Sequence, residues 1–233
     1  MKIAIINFSG NVGKTTIARH LVVPRMKGAE IVSVESANAD ELEEGALRGK
    51  DFAHLQQYML ASDDLIVDIG ASNVEDLLGL MKKFKGSHDD FDFFIVPAVP
   101  DVKQQKDTAN TANELVKIGV QPDKIKVLLN RVENSDTPEK QFGSLVGFLA
   151  INKVAFINPA AHLTDNEIYQ RVAQLGVSIS DLAADKTDYK ALIAKSKTQD
   201  EKIRLADKLA CNRLARGVLP ELDACFEALA LSV

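Results

Sequence analysis

Short apolar runs alternate along this chain with longer stretches in which apolar positions recur every three or four residues. The runs at 2–7, 30–35, 64–69, 91–97, 125–130 and 153–157 read as strands. Leu65-Ile66-Val67 and Phe93-Phe94-Ile95-Val96 have no polar interruption, as strands covered on both faces require. The intervening spacing predicts helices near 14–26, 39–61, 73–84, 102–118, 138–150 and 165–175, with Pro24 ending or kinking the first. Strands alternating with helices predict an α/β fold, a doubly wound and mostly parallel sheet with helices on both faces. After about residue 185 the strand runs stop. Ile203, Leu205, Leu209 and Leu214 then share one side of a helix, and Pro220 marks a break before a final one. One main domain over 1–185 is expected, with a helical extension over 186–233 packed on it.

The first strand leads into Asn7-Phe8-Ser9-Gly10-Asn11-Val12-Gly13-Lys14-Thr15-Thr16. A strand, a glycine-containing loop ending in Gly-Lys-Thr and a helix form the context of a phosphate loop. Gly13 lets the backbone approach an anion closely. Backbone N–H groups of Ser9, Gly10, Asn11, Val12, Gly13, Lys14, Thr15 and Thr16, with the helix start, then point at phosphate. Lys14 supplies a cation for the β- and γ-phosphates, and the Thr15 hydroxyl a ligand for Mg²⁺. The chain thus reads as a P-loop nucleotide-binding protein with ATP and Mg²⁺ as cofactors.

The general loop has glycine where this chain has Phe8. With Gly10 present instead, the segment resembles the deviant loop of the ParA/MinD ATPases, Asn-x-Lys-Gly-Gly-Val-Gly-Lys-Thr-Thr. Asn7, Gly10, Val12, Gly13, Lys14, Thr15 and Thr16 match in register, whereas Ser9 and Asn11 do not. The loop and the chain length also resemble plasmid stability proteins encoded on transmissible plasmids. The resemblance covers roughly residues 1–180.

The resemblance implies further site residues. Asp68, ending the apolar run Leu65–Ile69, stands at the Walker B position and would hold Mg²⁺; Gly70 follows it. A strand-terminal aspartate also caps helices, so both readings of Asp68 stay open. Glu35, as a metal contact, and Asp40, as a catalytic residue orienting water, fall where the family has its first switch. The family's Asp-x-Asp-Pro pattern is absent, and Asp40 equally suits an N-cap. Asn130, beside Arg131, falls where the family reads the adenine edge, although asparagine is also a common turn residue. Pro159 would line the loop over the base.

In the resembled family the first loop lysine reaches across a nucleotide-sandwich dimer. Here that position is Ser9, short and neutral. A trans-acting cation contributes on the order of 10³–10⁵ in rate where an arginine finger does this job, so slow intrinsic hydrolysis is expected. Arg131, Lys103 and Lys106 follow strands on the ligand side, but nothing in the sequence puts them at phosphate.

Charge changes the picture in one region. The formal net charge is −5, against a surface basic throughout, yet residues 186–216 hold nine basic and four acidic residues. A solvated helical face and nonspecific contact with DNA phosphates both fit this stretch; the lack of interleaved aromatics disfavours single-strand stacking. Cys211 and Cys225 form no disulfide framework, and His20, His54, His88 and His162 are too scattered for a metal cluster. The opening run is too short for a signal segment, and no apolar stretch reaches about 18 residues, so a cytoplasmic protein without a membrane span is expected. The resemblance implies a nucleotide-dependent homodimer and a DNA-binding partner protein, in plasmid maintenance or transfer. Two other readings stay open: a dethiobiotin-synthetase-like ligase, for which no second substrate constellation is visible, and a catalytically silent nucleotide-binding module.

Overall fold

The computed structural model describes residues 1–34, 46–47, 52–133 and 137–231. Two compact units make up the chain, Met1–Asp165 with Cys225–Val233, and Asn166–Ala224.

The first unit is built on a seven-stranded sheet in which every pair is parallel. Its strands are β1 (Lys2–Ile5), β2 (Glu30–Val34), β3 (Ala46–Leu47), β4 (Leu65–Ile69), β5 (Phe93–Ala98), β6 (Ile125–Val132) and β7 (Phe156–Thr164). Their order is β3-β2-β4-β1-β5-β6-β7. Early strands build outwards on one side of β1 and later strands on the other. The strand order therefore reverses at β1, and in open α/β sheets the crevice at such a point is where ligands bind.

The uninterrupted apolar runs have the expected burial, since all of β4 and β5 is buried. Ala4, Ile6, Val67, Phe94, Val96 and Val127 join one core with Leu55 of α2 (Phe52–Ala61), Leu77 of α3 (Val74–Lys83), Leu115 of α4 (Val102–Lys117) and Phe142 of α5 (Pro138–Asn152). The alternate residues Ile3, Ile5, Ile66, Ile95 and Leu128 are equally buried, facing the other way.

The first helix departs from regular geometry. α1 (Lys14–Thr16) runs on as a π-helix over Ile17–Val22 and a 3-10 turn over Val23–Arg25. Pro24 cannot donate to the carbonyl of His20, four residues back. The Arg25 guanidinium takes over, donating to His20 O at 3.3 Å and Leu21 O at 2.9 Å. The helical path then ends at Met26, as the proline suggested.

Three sequence expectations need correction. Within the stretch expected to be helical over 39–61, Ala46–Leu47 pairs with Ser33–Val34 as an edge strand, and the helix begins only at Phe52. A two-residue strand is too short to show a period. Strand β7 begins at Phe156 and reaches Thr164, with its pairing shifted between Ile157 and His162. Pro220 does not break the last helix, α9 (Gln199–Ala228). Both Pro220 and Arg216, whose carbonyl the ring would orphan, are exposed, so water can satisfy that group.

The second unit is helical, containing α6 (Ile168–Leu175), α7 (Ile179–Ala184), α8 (Tyr189–Lys195) and most of α9. Buried Asn212 holds it together, donating from Nδ2 to Leu182 O at 2.6 Å and Asp185 O at 2.9 Å. Arg171 adds ion pairs to Glu167 and Asp207. Cys211 and Cys225 are free and buried. Among the described residues no helix is long and apolar enough to cross a membrane, and no cluster of three or more metal-ligating side chains forms.

Candidate functional site

At the carboxyl end of β1 the chain turns into Asn7–Thr16. Asn7 is fully buried and anchors the turn. Its Nδ2 donates to Pro97 O at 2.7 Å and Thr108 Oγ1 at 2.8 Å, while its Oδ1 accepts from the Ser9 N–H at 2.7 Å. Helix α4 grips the loop further along. The Phe8 N–H donates to Thr111 Oγ1 at 3.2 Å, Ser9 Oγ donates to Asp107 Oδ2 at 2.5 Å, and Gln104 Nε2 donates to Gly10 O at 2.9 Å. Positions 104, 107, 108 and 111 share one side of α4, so a single helical stripe holds four successive loop residues. The sequence reading missed these side chains. Their signal was a polar stripe at helical spacing in which Thr108 and Thr111 are wholly buried.

The loop needs two left-handed residues, Asn11 with φ 58° and Gly13 with φ 89°. Asparagine tolerates that region; most other side chains do not. At Gly13 there is a second reason for glycine. A Cβ there would lie 2.4 Å from Asn130 Nδ2. That amide donates to Val12 O at 2.9 Å, and its oxygen accepts from the Arg131 N–H at 2.9 Å. Asn130 therefore stands against the phosphate loop, at the end of β6. Arg131 has φ 56° and is exposed.

Lys14 is only 8% exposed. Its Nζ donates to Ser9 O at 2.9 Å and, more weakly, to Asn7 O at 3.4 Å, so the loop wraps its own ammonium group. Burial pushes the Lys14 pKa down, and the nearby Asp68 carboxylate works against that. The Thr15 hydroxyl donates to Asp68 Oδ2 at 2.6 Å, bringing two of the three expected Mg²⁺ ligands together. Asp68 is 3% exposed and is the last residue but one of β4, beside β1, where Ile5 pairs with it. After it, the Gly70 N–H donates to Val34 O at 2.9 Å, and Asn73 Nδ2 reaches the same carbonyl at 3.1 Å.

Other expected residues stand apart. Glu35 and Asp40 lie outside the described residues. Pro159 sits in the shifted part of β7, where its carbonyl meets His162 Nδ1 at 2.8 Å. Lys103 is exposed on α4. Lys106 lines a groove of about 870 Å³ between α4 and α5, together with Gln105, Asn110, Lys140 and Gln141.

The model of the CobQ/CobB/MinD/ParA nucleotide binding domain matches residues 3–146. No curated protein matches the chain. Among solved structures, apo McdA of Cyanothece is similar with a TM-score of 0.55 at 16% identity, over 98% of this chain and 97% of that one. The cell division ATPase MinD of Pyrococcus furiosus gives 0.52 at 13% identity, over 90% and 98%. A plasmid partition protein of Borrelia burgdorferi B31 bound to AMPPNP gives 0.51 at 12%, over 90% and 97%. At these identities the likeness is one of fold.

Proposed function

The chain belongs to the CobQ/CobB/MinD/ParA nucleotide-binding family, and on that premise we propose an ATP-binding, slowly ATP-hydrolysing switch of the ParA/MinD type. The observation that carries this reading is the Lys14 ammonium enclosed by loop carbonyls beside the Thr15–Asp68 pair, at the point where strand order reverses. Similar solved structures include an ATP complex of a McdA variant and the AMPPNP complex of the partition protein.

The residues fit Mg·ATP. A hydroxyl and a carboxylate 2.6 Å apart are the hard oxygen donors that Mg²⁺ prefers. When bound, the ion neutralises charge developing on the transferred phosphoryl group. Lys14 would hold the β- and γ-phosphates, and backbone N–H groups of Gly10–Thr16 would cradle the rest, the Ser9 N–H being taken up by Asn7 Oδ1. Asn130 would address the base, with Arg131 and Pro159 as the further base-site residues. Glu35 and Asp40 contribute a second metal contact and an orienting carboxylate. Ser9 brings no charge to the γ-phosphate, so turnover is slow until a partner supplies one.

Such a switch acts as a nucleotide-dependent homodimer in the cytoplasm, with a DNA-binding partner protein, in plasmid partition, stability or conjugative transfer. The basic stretch 186–216 contacts DNA without sequence preference. A small-molecule ligase of the same fold is a second reading, favoured by the α4/α5 groove with Lys106 and Lys140 in its lining. Single-turnover hydrolysis with and without DNA tests the proposal. Slow turnover that rises with DNA or partner supports the switch, and fast turnover without either, undiminished on altering Ser9, refutes it.

A further inference from the structure

We propose that Ser9 is a self-phosphorylation site, its hydroxyl accepting a phosphoryl group from a nucleoside triphosphate in the same loop and its proton passing to Asp107. The inference rests on the triphosphate-binding reading above and adds an activity to it.

Four observations converge on Ser9. Its Oγ donates to Asp107 Oδ2 at 2.5 Å, so a carboxylate already holds the proton that a nucleophile must lose. A general base has to be within hydrogen-bond reach of that proton, and activated nucleophiles are recognised by such a pair. Ser9 is 7% exposed, which limits competition from water. Its carbonyl accepts from Lys14 Nζ at 2.9 Å, so the hydroxyl belongs to the residue that seats the phosphate-binding ammonium. Its backbone is fixed by Asn7 Oδ1, and Asp107 by the helix whose Gln104 and Thr111 also hold the loop. Nucleophile and base are thus pre-set by one framework, which lowers the entropic cost of attack.

The step balances. The Ser9 Oγ–phosphorus bond forms, the bond from the γ-phosphorus to the β–γ bridging oxygen breaks, and the nucleoside diphosphate leaves with that electron pair. The hydroxyl proton moves to Asp107, and nothing is oxidised or reduced. The product carries about −1.5 to −2 charge at position 9. That charge lies against Asp107, on the residue whose carbonyl seats Lys14 Nζ, so it repels the next triphosphate. Phosphorylation would turn the loop off.

The test incubates the full chain with Mg·[γ-³²P]ATP, removes nucleotide and locates the label by peptide mass spectrometry. One phosphoryl group on the Ser9 peptide is expected, formed at a rate independent of protein concentration. Ser9→Ala should abolish it and Ser9→Thr should retain it. Asp107→Asn keeps an acceptor for the hydroxyl but removes the base, and should slow labelling roughly 10²–10⁴-fold. Label on another residue, or labelling undiminished in Asp107→Asn, overturns the proposal. Calorimetry of the same samples with a non-hydrolysable ATP analogue separates the two readings. Binding without Ser9 labelling refutes the self-phosphorylation and spares the nucleotide site, whereas absence of binding refutes both.

Discussion

Replacing Gly13 by alanine puts the packing of the phosphate loop to a quantitative test. Two costs follow from the structure. Gly13 has φ 89°, and an L-residue in the left-handed region costs about 1–2 kcal/mol. The added Cβ would also lie 2.4 Å from Asn130 Nδ2, so the amide must move. Moving it breaks the Asn130–Val12 hydrogen bond, worth about 0.5–1.5 kcal/mol. Together Gly13→Ala should destabilise the first unit by roughly 1.5–3.5 kcal/mol, more than the backbone conformation alone would. A double-mutant cycle separates the parts. Asn130→Ala removes both the hydrogen bond and the obstacle, so Gly13→Ala in that background should cost only the conformational share. The two substitutions should therefore couple by about 1 kcal/mol. Urea unfolding monitored by backbone circular dichroism, with fitted slopes compared, measures all four corners. Strict additivity would refute the claim that Asn130 is what forbids a side chain at position 13.

Three further outcomes are expected. The Lys14 pKa is lowered by burial, so between its folded value and the ordinary 10.5 the unfolded chain binds more protons, and burial of this amine costs less as pH rises through that window. Anion binding needs the charge, so Mg·ATP affinity measured by calorimetry should fall as pH rises through the lowered value, starting below 10.5; a flat profile up to 10.5 contradicts this. Arg25→Ala orphans the His20 and Leu21 carbonyls beside Pro24 and should cost roughly 1–2 kcal/mol in denaturant melts, with Arg25→Lys recovering part of it. Reversing the charges of Lys197, Lys202 and Arg204 should weaken DNA binding at low salt and flatten its salt dependence in fluorescence anisotropy, and unchanged affinity would remove the DNA assignment.

The parts of this fold that sequence makes legible are those set by neighbours in the chain. The runs Leu65–Ile69 and Phe93–Val96 announce buried strands because every position is apolar, and Gly-Lys-Thr announces an anion site because strand, loop and helix are contiguous. What stayed hidden depends on distant partners. Gly13 is required as much by Asn130 as by any phosphate, and Ser9, Phe8 and Gly10 are held by residues about a hundred positions away. Ala46–Leu47 became a strand because β2 offered an open edge, a tertiary choice with no local period. Pro220 misled because its disruption falls on an exposed side of α9, where water substitutes for the missing bond.

The central claim is that the Asn7–Thr16 loop holds a nucleoside triphosphate through Lys14. Titration calorimetry of the full chain with Mg·ATP, run beside Lys14→Ala, tests it most directly. The account predicts a saturable one-site isotherm for the natural sequence and its loss in the variant. No heat of association in either protein, or the same affinity in both, would contradict it.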